Sequence, residues 1–146
     1  MTTTNHALTG AMIATIVHQP YLAIPLAFIS HFVCDALPHF GIDMKFGSRS
    51  MYTWLFLDGL AAILFAGLLL SLGVNNPLLL AISGFAAMSP DLSWFYYGVK
   101  HQLDNYKKYG PISKFHSKIQ WYQKVPGLIV EFAWAGLMLS LILRFQ

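Results

Sequence analysis

Five apolar stretches, separated by proline, glycine or basic loops, constrain what this chain can fold into. Only 10% of the 146 residues are charged and 56% are hydrophobic, whereas a soluble domain carries about 25% charged residues. The chain therefore has too little polar surface for a water-soluble fold. The sequence predicts one all-α domain covering residues 1–146, a polytopic membrane bundle of about five hydrophobic helices. The stretches are residues 7–17, 21–37, 51–72, 77–99 and 126–143.

Length separates these stretches into two groups. A helix that crosses the hydrocarbon layer needs about 20 residues, and the last three stretches meet this length. The second stretch is marginal and the first is short, so we expect the first helix to be tilted or partly inserted. Residues 100–125 have a different pattern, in which six lysines alternate with aromatic side chains. This pattern predicts an amphipathic interfacial segment that lies at the membrane surface.

The basic residues predict the orientation of the bundle. With five crossings, the loop 38–50 and the segment 100–125 lie on the same side as the N-terminus, and eight of the nine lysines and arginines fall there. Positive residues in short loops mark the cytoplasmic side. We therefore expect a multi-pass protein of the inner (cytoplasmic) membrane, with its N-terminus and basic loops in the cytoplasm. The opening residues lack the positive region of a secretory signal, so we expect the first stretch to belong to the mature fold.

Acids and imidazoles in or beside the apolar stretches converge on this cytoplasmic half. Ionisable groups in hydrocarbon are costly and are usually retained for a function. At a helical rise of about 1.5 Å per residue, the predicted helices bring most of them to a similar depth. His and Asp together are common ligands of transition metals. The residues are His6, His31, Asp35, His39, Asp58, Asp91, His116 and Glu131.

The sharpest local pattern runs from His31 through Asp35 to His39. His31 and Asp35 are four residues apart and share one helix face, so they can bind a divalent ion together with ligands from other helices. The alternative is an ordinary helix end in which His31 and Asp35 pair with each other. Asp91 follows Pro90, which either bends the helix and directs the carboxylate inward or leaves Asp91 to cap a new helix. We predict as metal ligands His6, His31, Asp35, His39 and Asp91.

Three further residues are candidates for catalysis. Glu131 is a candidate general base for a metal-activated water, or a carboxylate that reaches toward water at the interface. Asp58 is a candidate acceptor that orients a ligand imidazole, or a protonated carboxyl at a helix contact. His116, in the basic segment, is a candidate ligand or acid–base group, or a plain surface residue. We predict as catalytic residues Glu131, Asp58 and His116.

Short motifs at four places resemble those of one protein family. They are Asn5-His6-Ala7-Leu8-Thr9-Gly10, the pattern from His31 to His39, Ser89-Pro90-Asp91 and Phe115-His116-Ser117. Together they look like the predicted membrane-bound metal-dependent hydrolases, bacterial inner-membrane proteins that are distantly similar to zinc-dependent phospholipase C. The resemblance implies that His6, Asp91 and His116 belong to a metal site. The chain departs from the family pattern after Pro90, where it reads Asp-Leu-Ser-Trp instead of Asp-X-Asp-His.

These observations predict a membrane hydrolase with a divalent metal, zinc, and a phosphoester or lipid headgroup as its substrate. The expected partners are the lipid bilayer and an anionic headgroup or phosphorylated substrate attracted by the basic loops, whereas nucleic acid is not expected. A homo-oligomer or a place in a membrane complex is compatible with the sequence. Two other classes stay open. One is a small proton- or ion-coupled transporter, and the other is a non-catalytic membrane subunit whose polar residues hold helices together.

Overall fold

The chain folds into helices in the computed structural model, which describes residues 1–42, 44–103 and 105–146. Within these ranges, the extended pairing consists of an isolated bridge between His39 and Gln123. The all-α prediction is therefore confirmed. Short 3₁₀ turns precede the fifth, sixth and seventh helices. The α-helices are α1 (Thr3–Val17), α2 (Pro20–Asp35), α3 (Arg49–Ser71), α4 (Pro77–Met88), α5 (Leu92–Val99), α6 (Pro111–Ile119) and α7 (Leu128–Phe145).

Three helical stretches are long and apolar enough to cross a membrane. They are α3, the continuous stretch Pro77–Val99 that contains α4 and α5, and the stretch Val125–Phe145 that ends with α7. With 15 and 16 residues, α1 and α2 are about 22 and 24 Å long, shorter than a hydrocarbon layer of about 30 Å. Length and composition thus support three spanning helices, and the fuller count of five crossings stays a prediction.

Capping residues and prolines set the helix boundaries. Ser48 precedes α3, and its hydroxyl accepts a hydrogen bond at 3.2 Å from the backbone amide three residues later. Asn76 caps α4 in the same way and adopts a φ of 49°, a left-handed conformation that asparagine tolerates. Proline occupies the first turn of α2, α4 and α6, where an amide would have no helical partner. Local sequence therefore explains where these helices begin.

The first helix, α1, lies at the centre of the bundle. It packs against α2, α3, α4 and α7. By contrast, α3 exposes large apolar side chains along its length, including Phe56, Ile63 and Leu64, and this surface suits contact with lipid. The bundle therefore holds a 15-residue helix inside and exposes the 23-residue α3 outside. The buried apolar core consists of Leu8, Ala11, Ala14, Ala23, Leu69, Val74, Leu79, Leu80, Met138 and Ile142.

The contact between α1 and α4 depends on glycine at position 10, which gives a prediction about stability. A Cβ atom at Gly10 would overlap the backbone carbonyl of Ser83, whereas a Cβ atom at Gly67 in α3 would meet open space. We expect Gly10→Ala to destabilise the protein by about 1–3 kcal/mol through overpacking. Gly67→Ala should leave stability unchanged or raise it, because alanine is the better helix former. Thermal unfolding in detergent measures both, and equal midpoints for the two variants would contradict the packing described here.

Candidate metal centre

Asp35, the last residue of α2, lies at the centre of a buried polar cluster. Only 1% of its surface is exposed. The imidazoles of His6, His31, His39 and His116 approach its two carboxylate oxygens from different parts of the chain. α1 contributes His6, α2 contributes His31, the segment after α2 contributes His39, and α6 contributes His116. A carboxylate in such a position costs desolvation energy unless positive charge or several hydrogen bonds compensate it.

One oxygen of Asp35, Oδ2, belongs to a group of side chains that could hold a metal ion. His116 Nε2 lies 2.6 Å from it and His31 Nε2 lies 3.2 Å from it. Asp91 Oδ1 lies 3.6 Å from His31 Nε2 and 3.8 Å from His116 Nε2. The ligand atoms of these four residues all lie within 4.8 Å of one another. Two imidazole nitrogens and two carboxylates make a donor set that fits a divalent transition metal.

Second contacts orient the imidazoles so that lone pairs can face the cluster. His31 Nδ1 lies 2.7 Å from the carbonyl oxygen of Ala87, and His39 Nδ1 lies 2.8 Å from that of Leu37. Because a carbonyl can only accept, Nδ1 must carry a proton in both rings, and Nε2 is left to face Asp35. Burial also lowers the pKa of His39 below its ordinary value, and this favours the neutral imidazole. Neutral imidazole is the form that binds metals.

The other oxygen of Asp35, Oδ1, faces a second set of groups. His6 Nε2 lies 3.1 Å from Oδ1, and His39 Nε2 lies 4.0 Å from it. The α-amino group of Met1 also contacts Oδ1 and forms a buried ion pair with Asp35. The rings of His6 and His31 are stacked, with centroids 3.9 Å apart and planes 21° from parallel. Each oxygen of the Asp35 carboxylate therefore faces its own group of nitrogen atoms.

Asp58 and Glu131 hold the beginning of α1. Asp58, from α3, accepts hydrogen bonds from the backbone amides of Thr3 and Thr4 at 2.8 and 3.1 Å. Glu131, from α7, accepts from the Thr2 amide at 3.1 Å and from the Thr2 hydroxyl at 2.7 Å. Two carboxylates from neighbouring helices thus supply the acceptors that the first amides of a helix lack. The structure places both against α1 outside the four-residue group, and their catalytic role stays a prediction.

A cavity of about 820 Å³ lies beside the cluster. His116 and Asp91 lie in its wall, and 35% of the Asp91 side-chain surface is exposed. The cavity also has an aromatic wall, which includes Trp94 and Tyr97, and a lysine, Lys124. Ligand sites commonly have volumes of about 300–1,000 Å³, so the cavity can admit a molecule as large as a lipid headgroup. Of the four metal-capable residues, Asp91 and His116 are therefore the two that an entering molecule can reach.

The amphipathic pattern of residues 100–125 appears in α6. One face of this helix, with Ser113, His116 and Ser117, lines the cavity. Ile112 and Phe115 on the remaining surface are more than half exposed. The placement of α6 at a membrane surface stays a prediction, but its two faces differ in the way that such a helix requires.

Side chains in the segment after α6 support the cluster, and the sequence patterns did not predict them. Gln120 donates a hydrogen bond to Asp35 Oδ2 at 2.9 Å. The amide nitrogen of Gln123 lies 3.1 Å from His39 Nε2, and the Trp121 indole donates to the Ala36 carbonyl at 2.9 Å. The spacing of four residues between His116 and Gln120 would have placed both on one face of α6. Nothing comparable in the sequence points to Gln123.

The fold and the site define a class: an all-helical protein with three helical stretches long and apolar enough to span a membrane, and a buried His/Asp group that could hold a metal ion. Searches against protein-family models, curated proteins and solved structures found no match to the chain. The family resemblance of its short motifs therefore stays a prediction, and the geometry of the cluster is what bears on function.

Proposed function

We propose that this protein is an integral-membrane hydrolase that uses a divalent metal, zinc, and acts on phosphoesters. The observation that carries the proposal is the convergence of His31, Asp35, Asp91 and His116 beside an open cavity. A mixed set of imidazole and carboxylate ligands is typical of zinc in hydrolases. When bound, such an ion lowers the pKa of a water molecule and polarises a phosphoryl oxygen.

The chain's own residues contribute position and proton transfer. Asp35 is buried and holds His31 and His116 in place, while the hydrogen bond to Ala87 fixes the tautomer of His31. Asp91 is the most exposed of the four, and the carboxylate oxygen that does not face His31 and His116 can accept a proton from a water or a substrate group in the cavity. The site therefore has a rigid buried side and an accessible side.

The proposed substrate is a phosphorylated molecule at the membrane surface, such as a lipid headgroup. Lys124 lines the cavity, and seven more of the nine basic residues lie in the segments 38–50 and 100–125. Clusters of lysine near a bilayer attract anionic headgroups. The same charge asymmetry supports a cytoplasmic location for the site. A relay of protons through the bundle needs polar side chains along its path, whereas the core cluster from Leu8 to Ile142 is apolar. This apolar packing favours a hydrolase over a proton-coupled transporter.

Hydrolysis of a generic phosphodiester tests this proposal. We expect purified protein in vesicles of phosphatidylcholine and phosphatidylglycerol to hydrolyse bis(p-nitrophenyl) phosphate when loaded with zinc and to lose that activity with a chelator. His116→Asn should reduce turnover by at least about 100-fold, since it removes a nitrogen from the cluster. His18→Asn is the matched control, because His18 is exposed at the opposite end of α1. Zinc-loaded protein that is folded and inactive on both phosphodiester and phosphomonoester probes would contradict the proposal.

A further inference from the structure

The two oxygens of Asp35 face two different sets of nitrogen atoms. Oδ2 lies 2.6 and 3.2 Å from the Nε2 atoms of His116 and His31, and Oδ1 lies 3.1 and 4.0 Å from those of His6 and His39. A single ion bound to Oδ2 accounts for the positions of His31 and His116. It does not account for the positions of His6 and His39 beside Oδ1. His6 is fully buried, and its Nδ1 atom has no hydrogen-bond partner among the described residues. In the described part of the chain, Asp35 is therefore the hydrogen-bond partner of the His6 ring, through Nε2.

The stacking of His6 on His31 limits how these rings can bind metal. Their planes are 21° from parallel and their centroids are 3.9 Å apart. A metal binds in the plane of an imidazole, along the nitrogen lone pair, so the lone pairs of two stacked rings lie in two nearly parallel planes, one above the other. Lone pairs in two such planes do not meet at one ion. The rings can, however, serve two neighbouring ions, and the ions of two-metal sites are about 3.5–4 Å apart.

We propose that the cluster is a two-metal site in which the Asp35 carboxylate bridges the ions. His31, His116 and Asp91 hold one ion with Oδ2, and His6 and His39 hold the second with Oδ1. The inference rests on the metal centre proposed above and extends it. Two divalent ions bound here would suit a phosphoester, because two-metal sites stabilise both the attacking and the leaving oxygen around one phosphorus.

The second position is prepared for a cation. His39 Nδ1 donates to the Leu37 carbonyl, so Nε2 carries the lone pair. In this structure the Gln123 amide nitrogen lies 3.1 Å from Nε2 and donates to that lone pair, and an ion at Nε2 would displace it. The positively charged α-amino group of Met1 contacts Oδ1. A divalent ion would take the place of this ammonium group, so the exchange keeps positive charge beside the buried carboxylate.

Metal stoichiometry tests the two-metal site. Purified protein is loaded with Mn²⁺, freed of excess ion by gel filtration, and analysed for manganese per chain. We expect two equivalents in the wild type and one each in His39→Asn and His116→Asn, with His18→Asn as the control that keeps two. Helix content by circular dichroism and the elution volume show whether each variant is folded.

The wild type alone gives a second readout that needs no variant. Two Mn²⁺ ions bridged by one carboxylate give an exchange-coupled electron paramagnetic resonance spectrum, whereas a single ion gives an isolated six-line signal. One equivalent with the isolated signal, unchanged in His39→Asn, would overturn the two-metal site and leave the single metal centre standing. No bound manganese or zinc in folded protein would overturn both.

Discussion

Replacing Asp35 with asparagine is expected to lower the affinity for divalent metal by more than about 100-fold and to destabilise the fold. The asparagine side chain has nearly the same shape, but it lacks the negative charge that faces the Met1 ammonium group, His6, His31 and His116. Second-layer changes around metals already cost about 10–100-fold, and Asp35 contacts the cluster directly. Removing one partner of a buried ion pair costs about 3–5 kcal/mol. Metal titration by calorimetry and thermal unfolding measure both effects.

Asp91→Asn is the matched comparison for this change. Asp91 belongs to the same group, but 35% of its side-chain surface is exposed, so water can compensate for the lost charge. We expect Asp91→Asn to weaken metal binding less than Asp35→Asn and to leave the unfolding temperature nearly unchanged. The central position of Asp35 would be refuted by an Asp35→Asn protein that binds metal as tightly as the wild type.

Truncating Glu131 to alanine is expected to release the beginning of α1, lowering stability by about 3 kcal/mol and metal affinity by about tenfold. Glu131 is buried and accepts hydrogen bonds from the Thr2 amide, the Thr2 hydroxyl and the Asn5 side chain. Its loss leaves several buried donors unsatisfied, each at a cost of about 1–3 kcal/mol before relaxation. The metal affinity falls indirectly, because α1 carries His6. Glu131 also accepts a hydrogen bond from the backbone amide of Phe40, the residue after His39.

This experiment separates positioning from catalysis. If Glu131 positions α1, unfolding temperature and metal affinity fall together, and Glu131→Gln recovers part of both because one amide oxygen still accepts hydrogen bonds. Ser140→Ala, at an exposed site further along α7, is the control. If Glu131→Ala instead loses turnover while stability and metal binding stay at wild-type values, Glu131 acts as the general base that the sequence suggested.

The helices were largely predictable from sequence because hydrophobic runs and prolines mark them. The run 51–72 corresponds to α3 at Arg49–Ser71, and the run 126–143 to α7 at Leu128–Phe145. The first apolar stretch starts at residue 7, and the helix that contains it begins four residues earlier, at Thr3. Its polar first turn is stabilised by Asp58 and Glu131 from other helices. Sequence patterns along one segment do not show such caps, since they arise only when helices pack.

The candidate site was predictable where residues share a helix face or follow a proline. His31 and Asp35 are adjacent on α2, and Asp91 and His116 join them within 4.8 Å, as the convergence of polar residues indicated. The sequence could not show how the nitrogens divide between Oδ1 and Oδ2 of Asp35. That division depends on ring orientation and on backbone carbonyls such as that of Ala87, which the sequence does not encode locally.

Anomalous diffraction at the zinc absorption edge, from crystals of zinc-loaded protein, locates the metal itself. We expect an anomalous peak beside Asp35, at about 2.0–2.2 Å from Asp35 Oδ2 and from the Nε2 atoms of His31 and His116. Folded, zinc-loaded crystals with no anomalous peak near Asp35, and with His116 still hydrogen-bonded directly to its carboxylate, would contradict the proposed metal centre.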